Sequence, residues 1–326
     1  MILSLTMSPP FELTSKILNL TAEISELLGR FRSLTSVKPE PKLRKQNKIK
    51  TIKSSLAIEG NSFTEEQITA ILEGKRVIGP KREIIEVKNA NLLYENLLDY
   101  SPYDLKSCLK AHHILMNDLV ESAGSWRNKN VGVLDGTKVK HIAPKPDFVP
   151  KLMHDLFQWL KNDKDTHYLI KGAIVHYEME FIHPFEDGNG RMGRFWQTLL
   201  LAKNMPIFEY IPIESLIEKK QKDYYLVLEK CDKAGKSTMF IEFMLLIIKQ
   251  TLEDYFKDIK DATITVSDRL NSAKGSFKNG LFSRKDYMLI HKTISSATAS
   301  RDLKVGLDQG LLSKSGDKNN TRYNFI

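Results

Sequence analysis

The sequence predicts a mainly α-helical protein in which strands are confined to short hairpins. Between its prolines, apolar residues recur at three- and four-residue spacing, which is typical of amphipathic helices. One strong hairpin signal, Asp135-Gly136, lies between two segments of alternating polar and apolar residues. With 326 residues, of which 41% are hydrophobic and 27% charged, the chain can bury a substantial core.

Composition excludes several classes of protein. Cys108 and Cys231 are isolated, with neither metal-ligand spacing nor a disulfide framework, which fits a reducing compartment. The longest apolar run, residues 240–248, is short and contains Glu242, so no membrane span is expected. The first residues hold no basic group before their apolar stretch, so we expect no signal peptide and a cytoplasmic location.

Positive charge is unevenly distributed along the chain. The net charge of +9 is compatible with binding to nucleic acid or to acidic partners. Residues 38–53 hold seven basic residues against Glu40, namely Lys38, Lys42, Arg44, Lys45, Lys48, Lys50 and Lys53. We favour a solvated helix face for this segment over a docking surface.

Helices are expected in series along the first 120 residues. Residues 11–34 form the first, Pro39 and Pro41 break the chain, and the second helix carries Ile49, Ile52, Leu56 and Ile58 before it stops at Gly60. Further helices are expected at 64–72, 84–98 and 103–119. His112 and His113 lie in the last of these and are expected to be packing or capping residues rather than ligands.

The middle of the chain predicts a hairpin followed by the core helices. Residues 127–133 and 138–142 flank the Asp135-Gly136 turn and are expected to pair. Helices are expected at 151–160 and 168–181, and apolar spacing in the second places it in the core, with His183 just beyond its end. Residues 195–202 are apolar almost all round, which predicts a buried central helix.

The densest chemistry lies in residues 183–194, His-Pro-Phe-Glu-Asp-Gly-Asn-Gly-Arg-Met-Gly-Arg. His183 can exchange a proton near neutral pH and is a candidate general base. Gly188 and Gly190 let backbone N–H groups approach an anion where a helix begins, and Asn189 can hold either the loop or a ligand.

The charged residues of the same segment suit a phosphate-bearing ligand. Arg191 and Arg194 share a helix face and can bind phosphate oxygens with two hydrogen bonds each. Asp187 offers a hard oxygen ligand to a Mg²⁺ ion that keeps most of its waters. Together these residues predict a site for a nucleoside triphosphate, a metal ion and a general base.

This segment resembles the signature of the Fic family: histidine, any residue, phenylalanine, then an acid, Gly-Asn-Gly-Arg and a second arginine three residues on. The matching residues are His183, Phe185, Asp187, Gly188, Asn189, Gly190, Arg191 and Arg194. The resemblance implies a Fic-type helical core that transfers AMP from ATP to a Ser, Thr or Tyr hydroxyl of a target protein or of itself. It implies Mg²⁺ on Asp187, catalytic roles for His183, Asn189 and Arg191, and nucleotide binding by Gly188, Asn189, Gly190, Arg191 and Arg194.

An acidic residue near a predicted helix end takes a role from the same resemblance. Ser55 and Glu59 are four apart and share a helix face, and in isolation Glu59 is an exposed acid. Ser55 to Gly60 resemble the inhibitory motif of autoinhibited Fic proteins. The resemblance implies that Glu59 pairs with Arg194 and keeps it from the γ-phosphate, and that Glu59 also activates water to remove AMP from modified targets.

Two more segments take roles from the resemblance. The hairpin, preceded by Gly124-Ser125-Trp126-Arg127, resembles the flap that aligns the target by strand addition, which assigns target docking to Val139, Lys140, His141 and Ile142. In residues 222–251, Tyr225 fits a tyrosine that contacts adenine, and Asp232 stands where the family has an asparagine. An aspartate cannot donate as an amide does, so the base preference stays open.

From residue 261 the composition changes: eleven Lys and Arg oppose six Asp and Glu. Helices are expected at 287–293 and from 295, then a break at Gly306-Leu307 and a hairpin within 311–323. This order resembles a winged helix, which binds DNA or proteins. The predicted domains are an N-terminal helical region at 1–48, a Fic core at 49–255 with its inhibitory helix at about 49–60, and a winged-helix-like domain at 261–326.

Two other functions stay open. A Fic transferase of a different nucleotide or phosphate-containing group would share the loop and differ at the base pocket, where Asp232 departs from the family pattern. A DNA-binding regulator would use residues 261–326 and keep the Fic core as a sensor, although the complete signature argues against a degenerate core. A homodimer is also open.

Overall fold

Helices make up most of the chain in the computed structural model, which describes residues 8–34, 41–135, 138–263, 266–278, 280–292, 294–317 and 320–326. The chain divides into two compact units, Met1–Glu253 and Asp254–Ile326. Within the described ranges, strands occur only as two short antiparallel hairpins and one isolated bridge. The mainly α fold class is therefore confirmed, while the three-domain division remains a prediction.

The first unit is built from helices joined by short loops. They are α1 (Ser15–Leu34), α2 (Pro41–Ile58), α3 (Glu65–Leu72), α4 (Lys81–Glu95), α5 (Leu105–Met116), α6 (Val149–Asn162), α7 (Tyr168–Ile182), α8 (Asn189–Asn204), α9 (Ile213–Lys219), α10 (Gln221–Ala234) and α11 (Thr238–Thr263), within which the unit ends. Gly60, with φ +91°, follows the end of α2, as the sequence predicts. Of the described helices, none is both long and apolar enough to cross a bilayer.

Two of the predicted helices have ends that differ from those expected. The prediction at 84–98 becomes α4, which ends at Glu95, and a separate 3-10 turn at Leu97–Asp99. The prediction at 103–119 becomes α5, because Asp104 caps it by accepting from the Lys106 N–H and Asn117 turns to extended backbone. Propensity alone does not locate these ends, which depend on caps and on the left-handed Asp118 (φ +59°).

The core centres on α7 and α8, which lie side by side. A side chain at Gly193 would place its Cβ 2.7 Å from His176 Cδ2, so only glycine permits this close approach of the two helices. Residues on all sides of α8 are buried, including Phe195, Trp196 and Leu199. This confirms the predicted central helix, and it fixes the loop between α7 and α8 at both ends.

Three lysines of the basic segment of α2 pair with acids of the same unit. Lys45 pairs with Glu73 at 3.0 Å, Lys48 with Glu95 at 3.3 Å, and Lys53 with Glu218. These partly exposed ion pairs fit the predicted solvated face better than a docking surface. Lys38 lies outside the described residues.

The predicted flap is a two-stranded antiparallel hairpin. Strand β1 (Gly132–Asp135) pairs with β2 (Lys138–Ile142), with Val133 opposite His141 and a shift in register between Val133 and Leu134. The second residue of the predicted turn, Gly136, lies outside the described residues. Along its other edge, β2 has no strand partner in the described part of the chain.

The second unit packs helices against a small hairpin. Its described elements are α12 (Val266–Phe277), α13 (Arg284–Ile290), α14 (Ser296–Asp308), β3 (Leu312–Ser315) and β4 (Arg322–Phe325), with Phe282 bridging to Tyr323. The expected break at Gly306-Leu307 is wrong, since α14 continues to Asp308. Gly306 faces the core instead, where an added Cβ would lie 2.7 Å from Leu312 Cδ1.

Candidate active site

The loop between α7 and α8 begins at His183, the residue that follows the last turn of α7. His183 has left-handed backbone (φ +50°, ψ +59°), and its N–H donates to the Met179 carbonyl at 3.0 Å. Its Nδ1 lies 3.3 Å from the Glu180 carbonyl. A proton on Nδ1 satisfies that carbonyl, which leaves Nε2 as the basic nitrogen.

Arg127 connects this loop to the segments on either side of the hairpin. The buried guanidinium donates from Nε to the His183 carbonyl at 2.6 Å and from Nη2 to the Ile182 carbonyl at 3.3 Å. Its other contacts are to the Lys129 carbonyl at 2.9 Å and the Pro144 carbonyl at 2.6 Å, on either side of the hairpin. The sequence marked Arg127 only as part of the Gly-x-x-Arg before the flap, so its contacts to the histidine loop were missed.

His112 supports the same loop from α5. Its ring stacks on Phe185 with 3.6 Å between centroids, Nδ1 accepts from the Gly124 N–H at 2.9 Å, and Nε2 lies 3.0 Å from the Asp187 carbonyl. A proton on Nε2 satisfies both contacts. Burial lowers the pKa of His112 to about 4, although the Asp187 carbonyl opposes this shift, so the ring is neutral at pH 7. The predicted packing residue is thus also a support for the signature loop.

Asn189 and Gly188 shape the turn into α8. Asn189 Oδ1 accepts from the Phe185 N–H at 2.8 Å, and its Nδ2 donates to the Phe185 carbonyl at 3.0 Å. The sequence allowed Asn189 to hold either the loop or a ligand, and both of these contacts hold the loop. Gly188 has φ +85°, and a Cβ there would lie 2.8 Å from Met116 Sδ. The N–H groups of the first turn of α8 are the kind of donors that bind an anion.

Arg191 and Asp187 belong to a network that the sequence did not predict. Arg191 is buried and donates to Asp187 Oδ1 at 2.9 Å and to Glu86 Oε1 at 3.3 Å. Arg82 donates to the second carboxylate oxygen, Asp187 Oδ2, at 2.6 Å. Burial raises the pKa of Asp187, but Arg191, the Gly188 N–H and Arg82 outweigh it, and the net shift is downward. Asp187 is therefore an ionised hard ligand.

The second loop arginine is held by the end of α2. Arg194 is buried, and its Nη2 donates to Glu59 Oε1 at 2.7 Å and to the Ser55 carbonyl at 2.9 Å, while its Nε donates to Ser55 Oγ at 3.2 Å. Burial lowers the pKa of Arg194, but Glu59, Tyr224 and Glu180 together raise it by more. The net shift is upward, so the guanidinium is charged. The structure thus brings the three sequence-predicted residues Ser55, Glu59 and Arg194 together.

The Glu59 carboxylate also lies over the first turn of α8. An added Cβ at Gly190 would be 2.5 Å from Glu59 Oε1 and 3.1 Å from Arg194 Nη1. Arg194 Nη1 is buried and has no hydrogen-bond partner among the described residues. A buried guanidinium nitrogen without an acceptor, next to a helix start, is the kind of group that an anionic ligand satisfies.

A row of buried polar groups behind the loop was missed by the sequence. Tyr224 donates to Glu180 Oε1 at 2.7 Å and lies 3.0 Å from His176 Nε2, while His176 Nδ1 lies 2.6 Å from Gln197 Oε1. Burial first, then Arg194, lowers the pKa of His176 to about 3. The available signal was the spacing of His176 and Glu180, which share a face of α7.

Tyr225 and Asp232 lie on α10, two turns apart. Tyr225 donates to the Ile58 carbonyl at 3.3 Å, next to Glu59. Asp232 Oδ1 accepts from the Tyr177 hydroxyl at 3.0 Å, on α7. Burial, then the charge of Asp232, raises the pKa of Glu178 to about 7. Asp232 therefore adds a second carboxylate near Glu178, whereas an asparagine at this position would be uncharged.

The chemistry of the donors fits one weakly held metal ion. Among the described residues, no three His, Cys, Asp or Glu side chains cluster as a metal site. The Asp187 carboxylate is a hard oxygen donor, and Mg²⁺ commonly combines one such protein ligand with water and phosphate oxygens. The predicted docking residues Val139, Lys140, His141 and Ile142 lie on β2, of which the backbone pairing with β1 is described.

Comparison with known proteins gives consistent matches. The sequence model of the Fic/DOC family matches residues 102–201. The chain is 29% identical over 215 residues to a Nematostella vectensis protein named protein adenylyltransferase Fic, covering 62% of this chain and 47% of that protein. A Drosophila melanogaster protein of the same name is 27% identical over 220 residues, covering 65% and 43%. The chain thus spans about half the length of the curated relatives it matches.

Solved structures extend the match to the whole chain. The crystal structure of a Fic family protein from Desulfovibrio desulfuricans G20 aligns with a TM-score of 0.73 and 38% identity, covering 98% of both chains. A Caenorhabditis elegans structure, Fic-1, aligns with a TM-score of 0.62 at 22% identity over 76% of this chain and 74% of its own, which shows a shared fold. The signature loop, the helical fold and this full-length match lead to one conclusion: the chain belongs to the Fic family.

Proposed function

We propose that this chain is a protein adenylyltransferase, which transfers AMP from ATP to a Ser, Thr or Tyr hydroxyl, and that Glu59 holds it in a resting state. The observation that carries the proposal is the Glu59–Arg194 contact of 2.7 Å beside a signature loop that is otherwise complete. The relatives named protein adenylyltransferase Fic support the reaction class.

His183 acts as the general base of this reaction. Its Nε2 accepts the proton of the target hydroxyl, whose oxygen forms a bond to the α-phosphorus while the bond to pyrophosphate breaks in line. Arg127 and the Glu180 carbonyl fix the loop and the tautomer that leave Nε2 basic. The first turn of α8 and the Arg191 guanidinium stabilise the charge that develops on the phosphate oxygens.

Asp187 is the residue that would hold the Mg²⁺ ion. When bound, the ion supplies charge neutralisation and orientation at the phosphate oxygens. Asn189 contributes through its two hydrogen bonds to Phe185, which keep the loop closed, and Gly188 and Gly190 keep the helix start clear of side chains. We assign Arg194 to the γ-phosphate.

Inhibition follows from competition for one guanidinium. Glu59 holds Arg194 Nη2 and places its carboxylate over the first turn of α8, so it both occupies the guanidinium and repels a γ-phosphate that approaches it. A partly buried charge-assisted hydrogen bond contributes about 1–3 kcal/mol, so its removal should raise transfer about ten- to a hundredfold. The same carboxylate is the candidate base for removing AMP from modified targets.

The test uses the Glu59→Gly protein and ATP labelled at either the α- or the γ-phosphate. We expect α-label on the protein, the mass of one AMP by intact mass spectrometry, and self-modification well above wild type. The Arg194→Ala protein should not be activated, because it loses both the inhibitory contact to Glu59 and the contact to the γ-phosphate. Transfer of the γ-label, or an unchanged rate in Glu59→Gly, would contradict the proposal.

A Fic transferase that uses another nucleotide would be recognised by its base preference. Asp232 accepts hydrogen bonds and carries charge, so a base with more donors than adenine can compete for it. The Glu59→Gly protein should be supplied with ATP, GTP, CTP and UTP in competition. Preference for ATP supports adenylyl transfer, and preference for another nucleotide would support the alternative.

We propose a second function, DNA binding, for the second unit. The exposed face of α14 carries Ser296, Ser300, Arg301 and Lys304, while Ala299 and Leu303 face the core. Asp302 is buried and paired with Arg269 at 2.6 Å, so it adds no exposed charge, and the exposed acid of α14 is Asp308, its last residue. A helix with small polar and basic residues outward suits the major groove, which favours DNA as the partner.

A further inference from the structure

Four charged side chains form a closed ring beside the signature loop. Arg82 and Glu86 come from α4, and Asp187 and Arg191 come from the loop and α8. The contacts run from Arg82 Nη2 to Asp187 Oδ2 (2.6 Å), from Asp187 Oδ1 to Arg191 Nη2 (2.9 Å), from Arg191 Nη1 to Glu86 Oε1 (3.3 Å), and from Glu86 Oε1 to Arg82 Nε (3.5 Å). The charges alternate around the ring.

Both carboxylate oxygens of Asp187 are therefore engaged by arginines. A metal ion that coordinates Asp187 meets two guanidinium groups already bound to the same carboxylate, and repulsion between these like charges favours the displacement of one arginine. Arg191 is 4% exposed and is held by Glu86, whereas the side chain of Arg82 is 54% exposed. Arg82 is thus the partner that can leave.

The release of Arg82 is made easier by a second partner on its own helix. Glu86 lies one turn further along α4, and its Oε1 is 3.5 Å from Arg82 Nε. Glu86 is itself fixed, because its Oε2 accepts from Asn61 Nδ2 at 3.0 Å. After release, Arg82 can remain paired with Glu86 while the Asp187 carboxylate turns toward a cation.

We propose that Arg82 competes with the divalent cation for Asp187 and so sets the metal affinity of the active site. The proposal rests on the role of Asp187 as metal ligand in the proposed function. It gives the chain a second control on the phosphate site, separate from Glu59. Removing Glu59 frees Arg194 but leaves Asp187 neutralised by Arg82.

Metal binding without nucleotide tests this directly. Mn²⁺ would be titrated into the nucleotide-free full chain and the free ion followed by electron paramagnetic resonance, for wild type, Arg82→Ala and Lys81→Ala. Lys81 is exposed and adjacent on α4, so its removal controls for the loss of one positive charge. We expect Arg82→Ala to bind Mn²⁺ roughly two- to fivefold more tightly than Lys81→Ala, as for the loss of one half-exposed ion pair.

Two more variants identify the site of the gain. Asp187→Asn in the Arg82→Ala background should abolish the added affinity, and Arg82→Lys should retain part of the competition. An Arg82→Ala protein that binds Mn²⁺ no more tightly than Lys81→Ala, or a gain that survives Asp187→Asn, would overturn the proposal. Because neither ATP nor a target is present, these outcomes are independent of which group the protein transfers.

Discussion

His183 is placed by its neighbours more than by its own helix. The left-handed backbone that ends α7 turns its ring away from the helix, and the Arg127 guanidinium holds the carbonyls of Ile182 and His183. Left-handed conformation in a residue other than glycine costs free energy, which the surrounding hydrogen bonds must offset. The reactive nitrogen therefore depends on a buried arginine 56 residues earlier in the chain.

Replacement of His183 by alanine should remove transfer and keep ATP binding. The imidazole acts on the incoming hydroxyl and not on the nucleotide, and a general base contributes on the order of 10²–10⁴ in rate. Transfer would be measured by intact mass in the Glu59→Gly background, and ATP affinity by calorimetry. His154→Ala, which removes an exposed histidine from α6, is the control. Equal rates in both variants would disprove the assignment.

Arg127→Lys should lower both the transfer rate and stability. A lysine keeps the charge but cannot serve four carbonyls, because it lacks the planar fork of donors. Loss of buried hydrogen bonds predicts a decrease of about 1–3 kcal/mol in the free energy of unfolding, measurable by urea denaturation. Lys129→Ala is the control, since it keeps the backbone carbonyl that Arg127 contacts. A rate equal to that of the control would show that the loop holds its shape without Arg127.

Among the elements, α7 connects the core to the site. Its inner face presents His176 to Gln197 and Tyr224, and Tyr224 in turn contacts Glu180 near Gly190. Gly193 allows α8 to approach closely enough for these contacts. The same helix that ends before His183 thus also carries a buried, neutral histidine.

The buried His176 should make stability depend on pH. Its folded-state pKa of about 3 lies below the ordinary value of about 6.5, so the unfolded chain binds more protons between these values. Stability from this group is therefore complete above pH 6.5 and is lost as the pH falls toward 3, by about 1.4 kcal/mol per pH unit. Glu180, 3.9 Å away, favours the charged ring, and Arg194 opposes it.

Urea denaturation of the first unit at pH 7 and pH 5 would measure this loss in wild type and in His176→Asn. The variant lacks the titrating ring, so its stability should change less between the two pH values even if it is lower at both. An equal dependence on pH in the two proteins would show that His176 does not control the loss of stability at low pH.

At the scale of the whole molecule, the chain is two compact units with different surface chemistry. The first unit contains the Fic signature and all of the contacts to its two arginines. The second has its own core of Leu270, Phe282, Tyr287, Leu303 and other buried residues, with basic side chains outward on α14. The two units therefore support separate tests of function.

DNA binding by the second unit should weaken steeply with salt. Lys and Arg contacts to phosphates release counterions, so the logarithm of affinity falls linearly with the logarithm of salt concentration. Arg301→Ala with Lys304→Ala should reduce both the affinity and this slope in fluorescence anisotropy with duplex DNA. Lys274→Ala, whose ammonium contacts the Ile326 carbonyl, is a control away from α14. Absent or salt-independent binding would favour a protein partner.

The sequence by itself determined the helical class, the position of the signature loop and the kinds of side chain that the loop presents. These follow from local information: apolar spacing identifies helices, glycines mark the turn, and histidine, aspartate and arginine each carry a defined chemistry. The partner of Arg194 came from the resemblance of Ser55–Gly60 to the Fic inhibitory motif, since in isolation Glu59 is only an exposed acid near a helix end. The predicted helix ends and the predicted break at Gly306 were less accurate. Caps decide where the helices end, and packing against Leu312 decides the environment of Gly306.

Only the tertiary structure decided which groups neutralise the loop and hold it. Arg127 and His112 support His183 and Asp187 from distant segments, and Arg82 and Glu86 complete a ring of charges with Asp187 and Arg191. No local pattern marks these contacts, because a buried guanidinium or carboxylate takes whichever partner the packed helices bring near it. Ion pairing is a property of distance, and the distances between segments are set by the close packing of the helices around α8.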